Sequence, residues 1–422
     1  MAATSDDRYV VISTDTHAGA DLYGYKPYLP ASLHDEFDAW AKAYASPFDD
    51  LIVATANRNW DHDLRITEMD DDGVAAEVLL PNTVPPFFPT TPNITINLPR
   101  TRAEFEKRWA GVQAHNRWQV DFCGLAPTRR RGLIQVFPND IELALTEIRW
   151  GAAQACFGGV LIPPVSPGDP QVAPLFHTRY EPIWELCADL DLTVVQHAGA
   201  GSPEMPMDQP ASNAVLITEM ALWAQRTLSH LILAGVFERH PTLRFVPTEQ
   251  GTLWVQQQLM MLDAMVPTMK SEANNRTYGM FGGSSVDEMT LAPSEYARRN
   301  CYLASELTPY DVATIDYLGA DHIMWGSDYP HEEGFTPHSK LAIRWALHDR
   351  TQDECRRILG GTAARLYRFD LDALAPVAAK IGPTVTEVAT PLGDTGYVAP
   401  GGFGYRPFEG GLALKRLAPA RR

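Results

Sequence analysis

Nothing in the 422-residue chain approaches the roughly 20 consecutive apolar residues that cross a bilayer, and the opening Met1–Asp7 lacks the apolar core of a secretory leader. A membrane span and an export signal are therefore not expected, and the chain reads as cytoplasmic. Cysteine is scarce: Cys123, Cys156, Cys187, Cys301 and Cys355 are scattered, none forms a C-x-x-C pair, and five cannot all pair with one another. That pattern argues against a disulfide scaffold and a zinc–thiolate cluster. Positive charge is also short. Against 52 Asp and Glu stand 35 Lys and Arg, a formal net charge of −17, so there is no basic footprint for nucleic acid or for an anionic membrane surface. An acidic substrate would need a local positive site, such as a metal ion. The absence of a P-loop, of G-x-G-x-x-G after a strand and of a G-x-S-x-G elbow removes support for nucleotide binding and serine-hydrolase chemistry. No repeat of fixed period is present.

What the chain does have is 45% hydrophobic residues, enough for a large core. Short apolar, β-branched runs alternate with longer helical patterns, the mark of a parallel sheet built from βα units. Eight strands are predicted, at Tyr9–Ser13, Val74–Leu80, Gly132–Phe137, Gly159–Ile162, Leu192–Gln196, Leu243–Val246, Cys301–Ala304 and His322–Trp325. Eight is the number that closes a (β/α)8 TIM barrel of the α/β class. Helices are predicted between them, among them Asp63–Asp72, a long one over Arg102–Phe122, and Ala211–Phe237. Pro81–Pro99 and Gly199–Pro210 read as long loops that follow strands, and in a barrel such loops form the functional face. Ser271–Met289, with its Gly-Gly, Asn-Asn and Ser-Ser pairs, looks like an insertion before the seventh strand. Residues 1–369 are taken as the barrel. Asp370–Arg422, Pro/Gly-rich with a basic end, is expected to be an extended arm that wraps its own barrel or a partner subunit, in a homodimer or higher homo-oligomer.

The first strand runs Val11-Ile12-Ser13-Thr14-Asp15-Thr16-His17, so Asp15 and His17 stand two apart and share a face that looks into a barrel's mouth. His197 directly follows the fifth apolar run and precedes a Gly-rich loop, and Asp328 holds the equivalent position after the eighth. A lone histidine at a strand end is more often a hydrogen-bonded structural residue, and a lone aspartate more often a cap. Coincidence at the ends of strands one, five and eight is what points to a metal. Two imidazoles and two carboxylates suit Zn, Fe or Mn as divalent ions and leave room for water. Glu249 follows the sixth strand and His331 lies on the eighth-strand loop. Both are candidates for catalysis, Glu249 also as a ligand. His331 has a second reading, as the residue that orients Asp328. For substrate, Asn82 offers a polar contact and Phe87, Phe88, Trp223, Trp254 and Tyr329 an apolar wall, with Tyr23 and Tyr25 similar candidates. Arg226 is a candidate to meet a substrate carboxylate, but reads first as an exposed helix arginine.

This pattern resembles the amidohydrolase superfamily, and within it the branch that includes aminocarboxymuconate-semialdehyde and resorcylate-type decarboxylases. The resemblance spans about Tyr9 to Phe369. It rests on Asp15-x-His17, Met69-Asp70-x-x-Gly73-Val74 leading into Leu79-Leu80-Pro81-Asn82, Gly158-Gly159-Val160, His197, and Trp325-Gly326-Ser327-Asp328-Tyr329-Pro330-His331 preceded by Pro293-Ser294-Glu295-Tyr296. It implies that Asp15, His17, His197 and Asp328 bind the metal and that Asp328 also manages a proton. The family's first motif is often His-x-His or Glu-x-His, so Asp15 is a variant. The sixth strand departs further. Those decarboxylases usually carry a histidine there, whereas this chain has Val246-Pro247-Thr248-Glu249-Gln250-Gly251. A carboxylate can act as a base or bind a second cation, but it cannot serve as a cationic acid. The fourth strand has no terminal lysine of the kind that bridges two metals as a carbamate in related enzymes.

The chemistry expected first is hydrolysis of an ester, thioester or amide of a bulky organic acid: an ion, or two, activates water and Asp328 or Glu249 takes its proton. The alternative is non-oxidative decarboxylation of an aromatic or unsaturated carboxylic acid, with a protonated side chain supplying the ring proton. A third reading, a non-catalytic barrel, is opposed by ligand candidates at three strand ends.

Overall fold

The structure is a computed structural model and describes residues 7–44, 56–82, 85–89, 97–270, 281, 283–331 and 334–392. Eight parallel strands follow one another in chain order: β1 (Ile12–Ala18), β2 (Ala76–Pro81), β3 (Arg130–Gln135), β4 (Phe157–Leu161), β5 (Thr193–His197), β6 (Phe245–Thr248), β7 (Leu303–Ser305) and β8 (Ile323–Trp325). The ring is closed by the chain beyond β8. Asp328 N–H donates to the Asp15 carbonyl at 2.9 Å and His17 N–H to the Tyr329 carbonyl at 2.6 Å. The chain is thus a (β/α)8 barrel, as its alternating pattern predicts.

Alternation along the strands separates two cores. Ile12, Val78, Leu133, Val195, Val246 and Met324 pack with Leu366, Tyr367 and Phe369, which follow β8 in sequence. A larger cluster joins the other strand faces to the surrounding helices, through residues such as Val11, Ile134, Val160, Val194 and Phe245. The helix His62–Asp72 shows how local sequence sets an element. Asp61 accepts the Leu64 N–H at 3.1 Å to cap its start, and Gly73, at φ 85°, stops it in the left-handed region that glycine enters without steric cost.

Differences from the predicted boundaries have local causes. β1 runs on through Ala18, because Ser13 to His17 are buried polar residues rather than the start of a loop. The helix predicted over Ala211–Phe237 is two, Ser212–Leu233 and Val236–Arg239, broken where Gly235 adopts φ 68°. The segment after the barrel forms the helices Leu371–Ile381 and Val385–Val388. It is tied to the chain's start, with Tyr9 N–H donating to the Pro383 carbonyl at 3.0 Å and Val385 N–H to the Asp7 carbonyl at 2.9 Å. Residues 271–280 and 282 of the expected insertion, and 393–422 of the expected arm, lie outside the described residues. Among the described residues, no helix is long and apolar enough to cross a membrane.

Candidate metal centre

Asp15 and His17 project from the last half of β1, His197 ends β5, Glu249 directly follows β6, and Asp328 lies just beyond β8. Asp328 and Glu249 have φ of 56° and 52°, left-handed values that cost a non-glycine residue energy and aim both carboxylates away from a regular strand path. The side chains converge. His17 Nε2 lies 3.3 Å from Asp15 Oδ1 and 3.2 Å from Asp328 Oδ1, and His197 Nε2 lies 2.7 Å from Glu249 Oε2 and 3.6 Å from Asp15 Oδ1. His331 Nδ1 is 2.7 Å from Asp328 Oδ1, and its ring stacks on that of His17 with centroids 4.2 Å apart.

Three overlapping sets, Asp15–His17–His197, His17–Asp328–His331 and Asp15–Glu249–Asp328, each offer ligand atoms within 4.8 Å of one another. The arrangement fits a cation on independent grounds. Both carboxylate oxygens of Asp15 and of Asp328, and Nε2 of His17 and His197, are buried without a hydrogen-bond partner of good geometry, a costly state unless an ion satisfies them together. The other ring nitrogen of each histidine is already occupied. His17 Nδ1 faces the Pro81 carbonyl at 3.2 Å and His197 Nδ1 the Ala198 carbonyl at 2.8 Å, contacts that fix the tautomer whose Nε2 lone pair points inward.

Without an ion, the electrostatics show competing charges. Burial alone would raise the Asp15 carboxyl, but His17 and His197 outweigh it and hold that group below the usual carboxylate range. Burial likewise opposes ionisation of Asp328, which His331 and His17 reverse. His197 is pulled well above its ordinary value, against burial, by Glu249 and Asp15. Glu306 goes the other way. Burial, then Asp328, Glu249 and Asp15, push its carboxyl well above normal, so it feels the charges of the same centre. Glu306 follows β7 directly and was missed in the sequence. The signal that singled out His197, a polar residue just past an apolar strand, was there in Leu303-Ala304-Ser305-Glu306.

Of the residues expected to touch substrate, Asn82 is joined to the cluster, its Oδ1 facing His331 Nε2 at 3.1 Å. Tyr329 is turned away: its hydroxyl donates to Glu68 at 2.6 Å and its ring lies against Arg65. Phe88 is buried beneath the Arg108 guanidinium, 4.3 Å from its ring centre, and Phe87 packs on Phe37 and Trp40. Trp223 stands beside Arg226 on Ser212–Leu233, and Trp254 Nε1 donates to the Gly251 carbonyl at 3.0 Å. Tyr25 is buried with its hydroxyl 2.9 Å from His115 Nδ1, while Tyr23 is exposed.

Residues 37–369 match the family described as Amidohydrolase. A curated relative, the gamma-resorcylate decarboxylase of Polaromonas sp., is 23% identical over 326 residues, covering 73% of this chain and 87% of that protein. Among solved structures, 5-carboxyvanillate decarboxylase from Sphingomonas paucimobilis superposes with a TM-score of 0.62 at 21% identity, covering 86% of this chain and 100% of that one. Dihydroxybenzoic acid decarboxylase from Polaromonas sp., solved with manganese and the inhibitor 2-nitroresorcinol, gives 0.57 at 17% identity, covering 85% and 97%. These relatives overturn the hydrolytic expectation. The inference from Glu249 failed because that carboxylate lies in a ligand cluster with Asp15 and Asp328, a place where a carboxylate serves either chemistry and so does not single out hydrolysis.

Proposed function

Because the chain belongs to the amidohydrolase family, matched over residues 37–369, we propose that it is a metal-dependent decarboxylase of aromatic carboxylic acids. The observation that carries this reading is the convergence of buried, unpartnered ligand atoms from Asp15, His17, His197 and Asp328 in one mouth. It is supported by curated and solved relatives that are decarboxylases of hydroxylated aromatic acids, one of them solved with manganese. Asp15, His17, His197 and Asp328 would hold the ion, with Glu249 within reach. When bound, a divalent ion supplies positive charge that anchors a carboxylate and a neighbouring hydroxyl oxygen and stabilises negative charge on the substrate.

The chain's own residues handle the proton. Asp328 and His331, 2.7 Å apart, form a pair that carries one, and Asn82 orients the far side of the imidazole. The pair delivers that proton to the ring carbon bearing the carboxylate. The bond from that carbon to the carboxylate carbon then breaks, its electron pair returns to the ring, and CO2 leaves. In the test, the Mn2+-loaded full chain is given a panel of ortho-hydroxylated benzoates and loss of the carboxyl group is followed by chromatography. Turnover that disappears on chelation and returns with Mn2+ supports the reading, and a fully loaded protein inert toward the whole panel defeats it.

For a macromolecular partner we propose a second copy of the chain. Ile217 and Leu222 on Ser212–Leu233, and Leu253, Met260 and Met261 on Leu253–Met269, are exposed on two helices linked by the Gln258–Ser229 hydrogen bond. Every exposed position on both helices is uncharged. In a chain of net charge −17, two copies meet with least repulsion on that face.

A further inference from the structure

Beneath the ligand strand lies a group of charges that the chemistry above does not use. Arg65, on His62–Asp72, and Glu77, on β2, are both fully buried. Arg65 Nε reaches both Glu77 oxygens at 2.9 Å and Nη2 reaches Oε2 at 2.7 Å, while Arg130 of β3 donates to Oε1 at 2.9 Å. Burial opposes ionisation of Glu77, yet the two guanidiniums hold its carboxyl down at about 2. Two buried cations sharing one anion are a poor device for stability alone, since desolvation costs several kcal/mol per ion and apolar side chains would fill the space as well.

The remaining Arg65 contacts say what the group is for. Nη1 donates to the carbonyl of His17 at 2.7 Å, and to that of Arg58 at 3.1 Å. The guanidinium carbon lies 4.6 Å from the centre of the Tyr329 ring. Tyr329 follows Asp328 directly, accepts the His17 N–H on its carbonyl at 2.6 Å, and is tethered by its hydroxyl to Glu68, which itself pairs with Arg58 at 2.8 Å. One side chain therefore touches the backbone of a first-strand ligand candidate and the residue next to the eighth-strand one. These elements lie more than 300 positions apart in sequence, and among the described residues the backbone joints between them are the few that close the barrel.

We propose that Arg65 is a positioning residue of the metal centre, holding His17 and the Asp328–Tyr329 turn at ligand spacing, with Glu77 and Arg130 fixing its own orientation. The inference rests on the metal-centre reading above. A lysine keeps the charge but cannot serve the Glu77 carboxylate and the His17 carbonyl together while stacking on the ring. Residues that orient ligands typically alter metal affinity by about 10- to 100-fold.

The test titrates Mn2+ into the wild-type full chain, Arg65→Lys and Glu68→Gln, following free Mn2+ by electron paramagnetic resonance beside a thermal melt. Arg65→Lys is expected to stay folded and bind Mn2+ about 10- to 100-fold more weakly, with an altered bound-ion spectrum. Glu68→Gln, which loosens the Tyr329 tether and the Arg58 pair at a partly exposed carboxylate, is expected to show a smaller shift in the same direction. Folded Arg65→Lys with wild-type Mn2+ affinity and spectrum overturns the proposal. Should that variant not fold, unchanged binding in Glu68→Gln overturns it instead. Wild-type protein that binds no Mn2+ overturns the metal centre itself, and the positioning role with it.

Discussion

Glu249 is a carboxylate within the ligand cluster, and Glu249→Gln isolates what its charge does there. The substitution keeps the size of the side chain and removes one charge. Glu249 Oε2 lies 2.7 Å from His197 Nε2, and the carboxylate shares a set of ligand atoms within 4.8 Å with Asp15 and Asp328. At a separation of about 4 Å and an effective dielectric of about 20, one unit charge against a divalent ion amounts to roughly 8 kcal/mol before desolvation. The desolvation of a buried carboxylate and the water that replaces it offset most of that, leaving about 2–3 kcal/mol. Glu249→Gln should therefore weaken Mn2+ binding by about 30- to 150-fold, since about 1.4 kcal/mol is a factor of ten. Calorimetric titration of Mn2+ into wild type and variant reads this directly. Equal affinities would show that Glu249 lies outside the ion's coordination, and its contact with His197 would then be an ion pair only.

Two further outcomes follow from features away from the ion. His115 is buried and its pKa is lowered to about 3 by desolvation, with Tyr25 and Gln119 as hydrogen-bond partners. The unfolded chain takes up this proton below about pH 6.5 and the folded chain does not until about pH 3, so this contribution to stability is whole above pH 6.5 and is lost as pH falls. Between pH 7 and pH 4.5 the loss is about 2–3 kcal/mol, and denaturant melts of His115→Gln should lack that part of the acid slope. Wild type and variant with parallel slopes would refute it. Leu222→Asp with Met260→Asp should halve the solution mass seen by light scattering, whereas an unchanged mass would remove that face as the site of self-association.

How much of this was legible in the sequence depends on what each feature needed. The strands were readable because β-branched runs such as Leu192–Gln196 admit few other structures, and the ligand candidates because His197 and Asp328 stand directly past such runs. The end of β1 was readable only in part: the strand was predicted to stop at Ser13, where the apolar run gives way to Thr14, Asp15 and Thr16, although the Asp15–His17 spacing already read as strand spacing and the barrel buries all of them. Arg65 and Glu77 were invisible for a related reason: an arginine on a helix and a glutamate in a strand read as surface residues, and only the fold brings them together without water. The direction of an aromatic side chain is decided by packing, so Tyr329, in the most specific motif of the chain, is found against Arg65 rather than toward the cluster. Glu249 was located correctly on the sixth strand's end, but the hydrolytic chemistry inferred from it did not follow.

The central claim is most directly tested by counting CO2 released from an ortho-hydroxybenzoate by the Mn2+-loaded chain in D2O, with Asp328→Asn alongside. The account predicts one CO2 per substrate consumed and one deuterium at the carbon that lost it, with both abolished in Asp328→Asn. Substrate consumed without CO2, or CO2 released as readily by the variant, would contradict it.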